Sequence, residues 1–79
     1  MILLNQRRRK RLEEISERLS ELKDELEAIQ EEEEEYKENI PENLQGSERY
    51  EKAEESVDQL EEAVDGLSDI IELIEEVTS

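Results

Sequence analysis

The side chains in this chain that could do chemistry are almost all carboxylates. Its 79 residues include 26 Asp or Glu against 10 Lys or Arg, a net charge of −16, with no histidine and no cysteine. Without those two residue types the usual general base, the thiol nucleophile and the soft metal ligands are all missing. A di-iron bundle requires Glu-x-x-His on facing helices, which this chain cannot supply. Asp65-Gly66-Leu67-Ser68-Asp69 comes nearest to a calcium loop, but its glycine and oxygen ligands stand at the wrong spacing. No glycine-rich phosphate loop is present. Carboxylates on solvated helix faces also lack the burial that tunes acid–base groups. The sequence therefore predicts no catalytic, cofactor-binding or metal-ligating residue, and a protein that is not an enzyme.

Carboxylates can instead form a recognition surface. Acids three and four apart on a helix stand about 5–6 Å from one another, close to the phosphate spacing along a nucleic-acid strand. Glu27, Glu31, Glu34, Glu35 and Glu38 would line one such ridge, and Glu48, Glu51, Glu55, Asp58 and Glu62 a second. Ridges so spaced could occupy a groove built for DNA or RNA, although most acidic coiled coils mimic nothing and their charge is a solvated face. The expected partner is a basic protein rather than nucleic acid itself, which so acidic a surface would repel.

The charge is also unevenly distributed. From residue 12 onward 26 acids face five bases, a charge of −21, while residues 1–11 carry +5 in Arg7, Arg8, Arg9, Lys10 and Arg11. This defines a basic N-terminal arm, 1–11, led by Ile2, Leu3 and Leu4, and an acidic body, 12–79. The order of apolar then basic residues reverses that of a secretory signal, and no stretch approaches the ~20 apolar residues of a membrane span. The expected location is the cytoplasm, with no membrane contact.

Charge at this density leads to disorder unless the apolar residues are strongly patterned, and here they are. Leu12, Leu19, Leu26, Glu33 and Ile40 recur at heptad position a, with Ile15, Leu22, Ile29 and Tyr36 at d. A second run places Tyr50, Val57, Val64 and Ile71 at a, and Ala53, Leu60, Leu67 and Ile74 at d; Ala63, Ile70 and Val77 add a g column. Two coiled-coil helices follow, over 5–39 and 47–78, with a turn at 40–46. Pro41 disfavours helix at Ile40, Gly46 offers a permissive turn residue, and Ser47 can cap a helix whose first turn carries Glu48 and Glu51.

Folding back in one register sets Tyr36 opposite Ala53, Leu22 opposite Leu67 and Ile15 opposite Ile74, with Glu33 as a polar layer facing Val57. The basic arm then starts beside Glu72, Glu75 and Glu76. The expected fold is all-α, an antiparallel two-helix coiled-coil hairpin. Its apolar stripe is too wide for a single neighbour, so a homodimer forming a four-helix bundle is expected, with Leu19, Leu22, Leu26, Leu60, Leu67, Ile70, Ile71 and Ile74 as the core and dimer residues.

The segment Asn39-Ile-Pro-Glu-Asn-Leu-Gln-Gly-Ser-Glu-Arg-Tyr-Glu-Lys-Ala-Glu-Glu-Ser-Val-Asp-Gln-Leu-Glu-Glu-Ala-Val-Asp-Gly-Leu67 resembles a group of small acidic helical-hairpin proteins from Gram-positive gut bacteria and their phages. The likeness implies a mobile-element origin and brings with it neither an activity nor site residues. By class-level analogy, small acidic phage proteins include inhibitors of host defence nucleases, anti-CRISPR proteins among them. Three functional expectations result: an inhibitor whose acidic ridges block a basic nucleic-acid-binding protein, a scaffolding coiled coil acting through self-association or a partner helix, or an accessory to nucleic acid whose Arg7 to Arg11 arm touches phosphates while the body recruits others.

Overall fold

The computed structural model describes residues 5–79; Ile2, Leu3 and Leu4, which lead the basic arm, lie outside them. Helix α1 spans Gln6–Glu38, a 3-10 turn spans Glu42–Leu44, and helix α2 spans Glu48–Thr78. The two helices pack against each other as a hairpin measuring 60 × 19 × 13 Å. The all-helical hairpin written into the heptads is thus the fold.

Each helix begins at a side-chain cap. Asn5 Oδ1 accepts from the Arg8 amide at 2.9 Å, and Ser47 Oγ accepts from the Tyr50 amide at 3.4 Å, each satisfying a donor that the first turn leaves unpaired. Ser47 was legible as a cap from its position after the breaker cluster; Asn5 was not singled out. Helix α1 ends at Asn39, whose amide donates to the Glu35 carbonyl, and Ile40 donates to Lys37 before Pro41 stops the helix.

Gly46 lies in the turn without a left-handed conformation, since no residue described has positive φ. The chain turns through the short 3-10 segment, with Leu44 donating to Pro41, Gln45 to Glu42 and Ser47 to Leu44. Proline's fixed φ and these tight bonds complete the turn without glycine's freedom.

The core is thin. Among the described residues only Ile40, Ala53, Val57, Val64 and Ile71 are buried, and α1 contributes no buried residue. Helix α2 turns its a column inward, with d-column Leu60, Leu67 and Ile74 half-buried; Ala53, 2% exposed, is the tightest point. Helix α1 presents its a column, Leu12, Leu19 and Leu26, half-buried, together with its e column, Arg9, Ser16, Lys23, Gln30 and Lys37. Its contact line therefore runs between a and e, whereas the sequence placed it between a and d. One partner helix can cover only a narrow stripe, and the d column is left at the margin.

Since Gly46 has nothing within 4 Å of where a Cβ would stand and no positive φ, Gly46→Ala should raise stability by about 0.4–1 kcal/mol through a less flexible unfolded chain. Thermal unfolding followed by circular dichroism checks this; a destabilised variant would show that the turn does need glycine.

Candidate functional site

Two surfaces stand out on the hairpin, and they meet at Glu48 near the turn. The first is apolar. Ile15, Leu22, Ile29 and Tyr36, the d column of α1, are each at least 37% exposed, as are Ile70 and Val77 at g and Leu73 at c on α2. These columns border the same side of the hairpin. A groove near the turn is lined by Glu33 and Tyr36 from α1 and by Glu48, Arg49, Lys52, Ala53 and Ser56 from α2, and its neighbour by Glu33, Ser56, Gln59 and Leu60. The d column of α1 thus runs beside the d, g and c columns of α2. Toward the open end the same flank carries a recess of about 270 Å³ lined by Arg8, Arg11, Leu12 and Ile15.

This geometry divides the expected core and dimer residues. Ile71 is buried, and Leu19, Leu26, Leu60, Leu67 and Ile74 are half-buried. Leu22, 51% exposed, and Ile70, 47% exposed, do not belong to the hairpin's own core. Leu73, 61% exposed and outside the a, d and g columns, was not among those residues. Its signal was its spacing, three residues after Ile70 and four before Val77 on one helix face.

The second surface is acidic. Glu31, Glu34, Glu35 and Glu38 on α1, and Glu48, Glu51, Glu55, Asp58 and Glu62 on α2, are exposed, while Glu27 is half-buried. All but Glu35 stand at positions b and f, and Glu48 also reaches the groove near the turn. Two ion pairs occur among the described residues, Lys23–Glu27 at 3.8 Å and Lys52–Glu48 at 3.9 Å, both one turn apart on a single helix. The negative charge of the ridges is therefore left almost entirely to solvent and salt.

Arg7, Arg8, Lys10 and Arg11 project from the first turns of α1 into solvent, and Arg9 is half-buried with its Nε enclosed and without an acceptor. No ion pair among the described residues joins them to Glu72, Glu75 or Glu76. Those acids line their own shallow recess with Ser79. Among the described residues no group of acids converges on a metal-sized site, and no helix is long and apolar enough to cross a membrane. No family model, curated protein or solved structure matches the chain.

Repulsion among the uncompensated acids should outweigh the two weak surface pairs. Raising NaCl from about 0.05 M to about 0.5 M, which shortens the screening length severalfold, should raise the melting temperature. A fall would mean that attractive pairs dominate the electrostatics.

Proposed function

We propose that this chain is a non-enzymatic protein-interaction module that works in the cytoplasm. It dimerises through its apolar flank into an antiparallel four-helix bundle, leaving the acidic ridges outward for a partner. The observation that carries this reading is the imbalance between what the hairpin buries and what it leaves wet. Among the described residues five apolar ones are buried, whereas seven large ones, from Ile15 to Val77, lie exposed along one flank. Fully burying one Leu or Ile side chain is worth about 1.5–3 kcal/mol, and this flank extends about 30 Å along α1, from Ile15 to Tyr36, and about 10 Å along α2, from Ile70 to Val77. A second copy brings the same flank with it and covers both at once.

The exposure and near-complete lack of pairing of the ridge acids favour a second reading built on the first. Glu31, Glu34, Glu35 and Glu38 on α1, with Glu48, Glu51, Glu55, Asp58 and Glu62 on α2, would enter the phosphate-binding groove of a basic nucleic-acid-binding protein and block it. An inhibitor carried by a mobile element would act in this way.

Ile70→Glu combined with Leu73→Glu tests the first reading, because neither side chain supports the hairpin's core. The melting temperature of the unaltered protein should rise with its concentration, as mass action requires of a dimer. The variant should keep its helical signal and lose that dependence. A melting temperature independent of concentration in the unaltered protein would contradict the dimer. For the second reading, changing Glu31, Glu34 and Glu35 to Gln should abolish salt-sensitive, nucleic-acid-competed capture on such a target; capture that persists would point to the apolar flank instead.

A further inference from the structure

Helix α1 is patterned as its own partner. Its exposed d column is centred on Leu22, with Ile15 and Ile29 seven residues to either side. Beside it the g column reads Arg11, Arg18, Glu25, Glu32, so the sign of charge reverses at the same centre. We propose that two hairpins pair with their turns at opposite ends, α1 antiparallel to the partner's α1, about a two-fold axis passing Leu22. This rests on the self-association proposed above and specifies its geometry.

In that arrangement Leu22 meets the partner's Leu22 and Ile15 meets the partner's Ile29. Arg18 faces the partner's Glu25, Arg11 faces the partner's Glu32, and the axis repeats both pairs. Antiparallel coiled helices bring g columns together along one edge, so the charges complement one another where the apolar seam ends. The same centre sets Tyr36, 44% exposed, against the partner's Arg8. There the recess lined by Arg8, Arg11, Leu12 and Ile15 can receive the ring, with the guanidinium over its face.

Helix α2 supplies an independent observation. Gly66 lies in the middle of this 31-residue helix, where glycine is unfavourable, and nothing in the hairpin stands within 4 Å of the position its Cβ would take. Its reason is not found inside the hairpin. The register shown by Tyr36 and Ala53 sharing one groove puts Gly66 level with Leu22, on the axis. There α2 crosses the partner's α2, and the glycine allows close approach while Ile70 falls beside the partner's Ala63.

The alternative bundle, with both turns at one end, lays α1 on the partner's α2. Arg18 and Arg11 would then lie level with Ile70 and Val77, where no carboxylate in the g column answers them. Charge complementarity therefore selects the opposite-end arrangement.

The chain has no cysteine, so a single introduced thiol reports only its own approach to its copy. In a glutathione redox buffer Leu22→Cys should form a disulfide-linked dimer rapidly, and Gln45→Cys, at the turn, should not. Linkage at Gln45 as fast as at Leu22 would overturn the arrangement while leaving the dimer intact; an unaltered protein that sediments only as a monomer would remove both. Arg18→Glu should weaken the dimer on the order of tenfold, and adding Glu25→Arg should restore it. The two positions are seven residues apart, too far to pair within one helix, so rescue reports contact between copies. Failure of rescue with the dimer still present counts against the proposed pairing.

Discussion

Two helices packed side by side can each hide only one narrow stripe, and the rest of this structure follows from that limit. Among the described residues five apolar ones are buried, none of them on α1. A chain of this size has little surface to bury and no disulfide with which to compensate. Length offsets part of the deficit, since helices of 33 and 31 residues extend a thin seam over many layers. The remainder sits on one flank, from Ile15 and Leu22 on α1 to Ile70, Leu73 and Val77 on α2, where a second hairpin would turn a half-used stripe into a core.

Electrostatics acts in the same direction. Helix α1 opens on arginines with no acid in its first turn, and α2 closes on Glu75 and Glu76 with no base in its last. Each end opposes the dipole of its own helix. The two ends lie side by side with opposite signs, although no ion pair among the described residues joins them. At the interior g positions the proposed pairing sets Arg18 against the partner's Glu25 and Arg11 against the partner's Glu32. The outer ridges differ, because among the described residues only Glu27 and Glu48 of the ridges are paired, by Lys23 and Lys52, and ten of the chain's 26 acids stand there.

The sequence revealed the period and the break, but not how each helix is rotated about its axis. Steps of three and four place Leu12 to Tyr36 on one stripe and Tyr50 to Ile74 on another, and Pro41 with Ser47 marks the reversal. A stripe has two edges, however, and periodicity does not say which edge a single neighbour covers. In α1 it is the edge between a and e, so Leu22 is exposed although its spacing matches that of half-buried Leu19 and Leu26. Gly46 marked the turn but not its conformation, which the 3-10 hydrogen bonds complete without positive φ. The acidic ridges were legible as columns, but their use was not, since a carboxylate that keeps a bundle soluble and one that recognises a basic groove look the same along the chain.

The central claim is that the hairpin is half of a folded unit. Sedimentation equilibrium of the unaltered protein over a wide concentration range tests it most directly. The account predicts a mass near twice the 9.4 kDa of one chain, falling toward one chain only on dilution. A single species of one chain's mass at every concentration, with the helical signal intact, would contradict it.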